Sequence, residues 1–149
     1  CKKMLDDKNA IMGLGDGGAH VGFILDAGYP TWLISYWSVK QKAYSMEETV
    51  RRLTSDTANA AGLNDRGLLK VGLKADIIII DWENVGSSDP FMTQDLPAGG
   101  KRLMQHTKGY VTTIVSGKVT YKNGEFTKER PGTVVKSVKD EEKTLEFIN

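Results

Sequence analysis

Apolar positions in the first third of the chain follow two different periods. Residues 10–14 form a short apolar run that stops at glycines, which predicts one buried strand. From Pro30 onward, apolar and aromatic side chains recur at helical spacing, and proline is tolerated near a helix start. The residues at that spacing are Trp32, Leu33, Tyr36, Trp37, Lys40 and Ala43. Aromatic side chains in such a pattern are usually core residues, although an isolated piece of a larger protein can leave them exposed.

A second helix is predicted directly after the first. Residues 45–48 read Ser-Met-Glu-Glu, the pattern of a capping box, in which hydroxyl and carboxylate satisfy each other's free backbone N–H groups. An apolar stripe at helical spacing follows at Met46, Val50 and Leu53. Residues 57–61 predict one more short helix, which ends at Gly62 because glycine favours the position after a helix end.

Beyond Gly62 the pattern changes from helices to strands. Residues 77–80 are four consecutive isoleucines, which do not alternate with polar residues and therefore predict a strand covered on both faces. Residues 84–100 hold serines, prolines and glycines and predict a long loop. Helices followed by strands indicate an α+β fold with a boundary near Gly62.

Two turn signals organise the last strands. Residues 110–121 are rich in β-forming side chains and are interrupted by Ser-Gly at positions 116 and 117, which predicts a hairpin. Asn123 and Gly124 are a strong signal for a further tight turn. The residues from 137 to 149 are rich in charge and predict either a surface helix or a frayed tail.

Composition and charge exclude several classes of protein. The 149 residues include 20 Lys and Arg against 19 Asp and Glu, a net charge of +1, so neither nucleic acid nor an anionic membrane is an expected partner. No apolar run approaches the ~18–20 residues of a membrane-spanning helix, and no signal peptide is visible, so a cytoplasmic location is expected. The one cysteine, Cys1, excludes an internal disulfide and a multi-cysteine zinc site. A start at Cys1 predicts a truncated chain, with a processed lipoprotein as the alternative.

The glycine-rich segment 13–18, Gly-Leu-Gly-Asp-Gly-Gly, is the first candidate for chemistry. It matches the dinucleotide-binding pattern G-x-G-x-x-G, which also requires a helix opening on it and an acidic residue ~20 positions later on a strand. Another glycine, Gly22, follows the segment instead, and no predicted strand carries such an acid. Nucleotide binding is therefore disfavoured.

Asp16 gives the same segment a second interpretation. The aspartate follows the predicted strand and lies among glycines, which let a ligand approach the backbone closely. At the carboxyl end of a strand, a carboxylate can ligate a metal or hold the proton of a metal-bound water. Alternatively, Asp16 only closes a turn through its side chain. His20 either supports that carboxylate and contacts substrate or is a loop histidine bonded to backbone, and His106 is expected on the surface.

The chain resembles the amidohydrolase superfamily, most closely its N-acyl-D-amino-acid deacylase branch, which is D-aminoacylase-like. Residues 13–21 carry the resemblance to the deacylase branch, with the sequence Gly-x-Gly-Asp-Gly-Gly-Ala-His. Residues 67–76 match Gly-x-Leu-x-x-Gly-x-x-Ala-Asp, which is specific to the superfamily and marks its small β domain. Further similar segments are 26–31, 50–55, 95–100 and 113–119.

The resemblance implies a metal-dependent hydrolase built on a (β/α)8 barrel with a small β-sandwich-like domain. Residues 1–62 would be the last strand and helices of the barrel, 63–136 the small β domain and 137–149 the tail. Asp16 would be the catalytic carboxylate and a candidate ligand of zinc or another divalent metal. The implied substrates are N-acyl-D-amino acids, whose amide C–N bond is cleaved by a metal-activated water. Asp16 would take the proton of that water and pass it to the leaving amine.

The chain departs from the family pattern in its ligands and its length. It has no His-x-His, and a (β/α)8 barrel takes ~250 residues. The resemblance therefore implies the C-terminal part of a longer enzyme, which is inactive alone and binds no metal tightly. We expect such a piece to self-associate or to have a disordered segment 1–30. The alternative function is a non-catalytic β domain whose strand edges serve assembly or partner contact.

Overall fold

The computed structural model describes residues 1–13, 15–18 and 20–136, which form a helical part followed by a β part. The mixed helix-and-sheet architecture is therefore confirmed. The tail 137–149 lies outside the described residues. The helical elements are α1 (Lys2–Leu5), a 3-10 turn (Asp26–Gly28), α2 (Tyr29–Trp32), a π-helical segment (Leu33–Lys40), α3 (Met46–Leu53) and α4 (Ser55–Ala60). Within the described residues, no helix combines the length and the apolar character needed to cross a membrane.

The helix predicted after Pro30 is present as α2 and the π-helical segment that continues it. Leu33 and Ile34 are almost fully buried, whereas the indole of Trp32 is 57% exposed. Trp32 stacks on Tyr36 with the ring centroids 4.5 Å apart. The aliphatic side chains, not Trp32, thus contribute to the core, because the helix packs against neighbours on one side only.

The other two predicted helices are confirmed as α3 and α4. The Ser45 hydroxyl accepts from the backbone N–H of Glu48 at 3.1 Å, so the N-cap of α3 forms as the sequence predicts. The second half of the capping box is replaced by an ion pair. The Glu48 carboxylate accepts from Arg52, 2.9 Å away and one turn later in the same helix.

Tyr44 joins α1 to α3. Its ring is buried and its hydroxyl donates to the Asp6 carboxylate at 2.9 Å. The guanidinium of Arg52 lies 4.7 Å from the ring centroid and donates to the carbonyl of Leu5 at 2.6 Å. Burial, followed by the hydrogen bond to Asp6, raises the pKa of Tyr44 to about 12.

The β part contains three small antiparallel sheets. Their strands are β1 (Ile77–Ile80), β2 (Gly86–Ser87), β3 (Phe91–Leu96), β4 (Gly100–Met104), β5 (Thr107–Lys108), β6 (Tyr110–Val115), β7 (Lys118–Lys122) and β8 (Glu125–Phe126). The main sheet has the order β1-β6-β7-β8, and β2 pairs with β5 and β3 with β4. The predicted hairpin is confirmed as β6 and β7. The tight turn at Asn123 and Gly124 joins β7 to β8, with φ of 50° and 83°.

Three expectations about strands are wrong. Residues 10–13 form no strand and Ile11 is 57% exposed, because a parallel strand needs neighbours on which to hydrogen-bond. Ile78 and Ile79 point to opposite faces of β1 and are 53% and 49% exposed, so neither face of this edge strand is fully covered. The segment 84–100 is not a long loop, because the turn at Pro97–Gly99 folds β3 against β4.

Candidate functional site

Asp16 lies in an exposed loop between two glycines that touch the same 3-10 turn. A Cβ atom at Gly15 would lie 2.8 Å from the carbonyl carbon of Asp26 and closer still to its oxygen. A Cβ atom at Gly17 would lie 2.8 Å from the Cβ of Ala27. Because carbon atoms in contact stay about 3.5–4.0 Å apart, neither position accepts a larger residue. The two glycines thus let the backbone of the loop pack closely on the turn, and the side chain of Asp16 is exposed to solvent.

His20 closes the turn that follows the Asp16 loop. It adopts a left-handed backbone with φ of 49°, and its carbonyl accepts from the N–H groups of Phe23 and Ile24 at 2.9 and 3.1 Å. Its ring stacks on Phe23 with the centroids 5.2 Å apart. Both interpretations of the exposed imidazole stay predictions: a loop histidine bonded to backbone, or a group that orients Asp16 or contacts substrate.

An open cleft of about 1060 Å³ lies beside the Asp16 loop. Gly15 and the 3-10 turn line one side, and the stacked rings of Trp32 and Tyr36 line another. Residues 86–90 of the β part line the third side. The charged groups on its rim are Asp26, Lys40, Asp89 and Lys108. The cleft therefore combines a flat aromatic face with balanced charges next to the candidate carboxylate.

Two hydrogen bonds between distant parts of the sequence join the helical part to the β part near this cleft. The backbone N–H of Leu103 in β4 donates to the carbonyl of Val21 at 2.8 Å. The hydroxyls of Thr31 and Tyr110 share a hydrogen bond of 2.7 Å, with Thr31 buried. Neither contact is predictable from the sequence, because no period or motif relates residues so far apart in the chain.

The candidate metal ligands do not come together. Among the described residues, no group of three or more His, Cys, Asp or Glu side chains could hold a metal ion. A catalytic zinc takes about three protein ligands. His106, the other histidine, lies exposed in the β part against Phe91, with the ring centroids 4.9 Å apart, as its predicted surface position requires. The described residues of this chain therefore do not fit a metal centre by themselves.

Asp76, the last residue of the superfamily motif, has a structural role. Its carboxylate accepts from the Arg66 guanidinium and from the backbone N–H of Ser116, each at 2.8 Å. Arg66 also donates to Asp65 at 2.9 Å, and this bond holds the pKa of the Asp65 carboxyl below its usual range. The motif thus ties the segment before β1 to the turn between β6 and β7.

Comparisons with known proteins show to which family the chain belongs. A dihydroorotase from Lactobacillus acidophilus is 33% identical over 89 residues, which are 57% of this chain and 20% of that protein. An N-acyl-D-aspartate deacylase from Alcaligenes xylosoxydans xylosoxydans is 28% identical over 96 residues, 64% of this chain and 18% of that protein. The chain thus spans about a fifth of the length of these curated relatives. No solved structure matches the chain. The family model described as amidohydrolase family matches residues 1–121, and the chain therefore belongs to the amidohydrolase family.

Proposed function

We propose that this chain is the C-terminal part of a hydrolase that uses water to cleave the amide C–N bond of N-acyl-D-amino acids or related amides. Membership of the amidohydrolase family supports the hydrolase class. The name of one relative, N-acyl-D-aspartate deacylase, supports the substrate class. The observation that carries the proposal is the position of Asp16, an exposed carboxylate in a loop between two close-packed glycines, one of which, Gly15, lines the cleft.

Asp16 acts as the general base and then as the general acid of the reaction. Its carboxylate takes a proton from water as the water oxygen attacks the amide carbonyl carbon. It returns that proton to the amide nitrogen as the C–N bond breaks, which releases a carboxylic acid and a D-amino acid. A positioned carboxylate of this kind contributes typically ~10²–10⁴-fold to the rate.

The rest of the active site belongs to the longer protein in this proposal. Residues 1–62 complete a (β/α)8 barrel and residues 63–136 form most of the small β-sandwich-like domain. The exposed side chains of Ile11 and Trp32 support this assignment, because they are large apolar groups without cover in this chain. Asp16 stays a possible ligand of zinc or another divalent metal, and the remaining ligands would come from outside the described residues, so we assign this chain no step that passes through a metal.

The substrate class is tested with a longer protein, which is produced by extending the reading frame upstream of the Cys1 codon. We call this longer protein the extended protein. The extended protein is incubated with N-acetyl-D-aspartate, N-acetyl-D-leucine, their L-enantiomers and dihydroorotate, and the free amino acid or ring-opened product is quantified. We expect release of D-amino acids in clear excess over L-amino acids. Turnover of dihydroorotate alone, or of none of these amides, contradicts the proposed substrate.

A non-catalytic role in assembly is the second candidate, and it rests on exposed apolar side chains of the segment before β1. Leu69 and Val71 are 84% and 101% exposed. Such a cluster favours contact with a second copy of the chain or with another part of the protein. Light scattering of the 149-residue chain tests self-association. A dimer or larger species is expected, whereas a monomer with a rigid, protected N-terminal third contradicts it.

A further inference from the structure

We propose that Gln105 is a positioning residue that holds the Asp16 loop from the side of the β part. The structural role of Gln105 does not depend on the proposed function, and only its expected effect on activity rests on the proposed role of Asp16. Its structural claim is that one amide side chain connects the 3-10 turn under Asp16 to the backbone beside β2. Gln105 follows β4 and is half-buried at the wall of the cleft.

The Asp16 loop packs closely on the 3-10 turn Asp26–Gly28. Gly15 and Gly17 are in backbone contact with the turn Asp26–Gly28, with no room for a side chain between them. Any displacement of that turn therefore displaces Asp16. The turn has only three residues, and its N-cap, Leu25, makes no side-chain hydrogen bond. Its C-terminal end continues directly into α2, so contacts from other segments add to the support that this helix gives.

Gln105 supplies such a contact with one end of its amide. A Cβ atom at Gly28 would lie 3.3 Å from its Oε1, so the amide oxygen occupies the space that the glycine leaves open. The other end of the amide, Nε2, donates to the carbonyl of Ser88 at 2.7 Å. The side chain is thus fixed at Ser88, and its amide oxygen lies beside the last residue of the turn.

The backbone on both sides of Gln105 is itself fixed. His106 accepts from the N–H of Ser88 at 2.8 Å through its carbonyl and donates its own N–H to the Ser88 hydroxyl at 3.1 Å. Two residues before Gln105, the N–H of Leu103 donates to Val21 of the loop after Asp16. The amide therefore projects from a backbone that is held at both ends, which makes it a rigid support.

Hydrogen exchange of the 149-residue chain tests the structural claim directly. A side-chain hydrogen bond of ordinary strength is expected to protect the amides of residues 15–28 by roughly 2- to 10-fold, and Gln105→Ala removes that protection. The matched control is Gln94→Ala, which removes an exposed glutamine of β3 in the same hairpin. Equal exchange rates of residues 15–28 in both variants overturn the proposal. The proposal is also overturned if Gln105→Ala speeds up exchange equally in all segments of the chain, because the effect is then not specific to residues 15–28.

A double-mutant cycle tests the contact itself without reference to activity. Gly28→Ala has an ordinary right-handed backbone available, with φ of −79°, so its effect comes from the approach of its methyl group to the Gln105 oxygen. Gly28→Ala is expected to shift the unfolding midpoint less in the Gln105→Ala background than alone. Gly22→Ala, whose Cβ meets nothing within 4 Å, is the additive control. Additivity of the Gly28 and Gln105 changes overturns the proposal.

Kinetics of the extended protein separate positioning from general stability. Gln105→Ala is expected to lower kcat with KM nearly unchanged, because Asp16 is misplaced while substrate contacts remain. Gln105→Glu has no donor for Ser88 and sets a carboxylate oxygen against its carbonyl oxygen, so its kcat should be no higher than that of Gln105→Ala. A kcat equal to that of wild type overturns the positioning role. If exchange rises as expected but Asp16→Asn is fully active, the proposed function fails while the structural role of Gln105 holds.

Discussion

Replacement of Gly15 by alanine is expected to displace the Asp16 loop by about 1 Å. The new Cβ would lie 2.8 Å from the carbonyl carbon of Asp26 and nearer to its oxygen, where unbonded atoms require about 3.5 Å. Tyr29 limits movement in a second direction, since its ring carbon would lie 3.2 Å from the same methyl group. Overpacking of this kind costs about 1–3 kcal/mol. In the extended protein, a 1 Å misplacement of a catalytic group can cost about 100-fold in rate.

Gly22→Ala is the matched control for this change, because the same methyl group placed there meets no atom within 4 Å. Thermal unfolding of the chain and initial rates of the extended protein are measured for both variants. We expect Gly15→Ala to be the less stable of the two and to lose about 100-fold in kcat, with Gly22→Ala near wild type. Equal stability and equal rates for the two variants would refute the proposed close packing of the Asp16 loop on the turn Asp26–Gly28.

Three further predictions concern the fold and the metal. Asp76→Ala should lower the free energy of unfolding by about 1–3 kcal/mol, because the Ser116 N–H and Arg66 lose their acceptor; Asp76→Asn should cost less in the same denaturant titration. Because folding raises the pKa of Tyr44 from 10.0 to about 12, the stability it contributes is complete below pH 10.0 and is lost as pH rises towards 12; Tyr44→Phe should abolish this loss in unfolding curves across that range. Elemental analysis of the dialysed chain should find far less than one zinc per chain, and stoichiometric zinc would contradict the assignment of its ligands to other residues.

The helices and the last hairpin were predictable because their signals are local. The N-cap of α3 needs only Ser45 and the N–H of Glu48, three residues later. The hairpin of β6 and β7 needs only a turn at Ser116 and Gly117 between two β-forming runs. In each of these elements, the partners lie close in sequence, so periodicity and turn residues carry the information.

The wrong predictions have two different causes. The exposure of Ile78 depends on which strands flank β1 in the sheet, and four isoleucines in a row do not contain that information. The pairing of β3 with β4 is stabilised by the ion pair between Asp95 and Arg102, 2.6 Å apart, across a turn in which Ala98 has φ of 56°. These partners are close in sequence, but the prolines and glycines of 84–100 predicted one long loop, and alanine is not a usual residue for that conformation, so the hairpin was missed.

In the candidate site, too, the local features could be predicted from the sequence and the long-range contacts could not. Asp16 and its glycine neighbours stand in one short segment, so the sequence was sufficient to single out the carboxylate. The reason for those glycines is a contact with Asp26 and Ala27, which only the structure reveals. Gln105 had no signal of its own, because its partners, Gly28 and Ser88, belong to distant segments and to no motif.

The central claim is that Asp16 carries the proton in amide hydrolysis, and one substitution in the extended protein tests it most directly. Asp16→Asn keeps the size of the side chain and removes its basicity, while Asp7→Asn makes the same change at an exposed aspartate elsewhere in the chain. The account predicts that Asp16→Asn lowers kcat for the release of D-amino acids by about 10²–10⁴-fold and that Asp7→Asn leaves it unchanged. Equal activity of the two variants would contradict it.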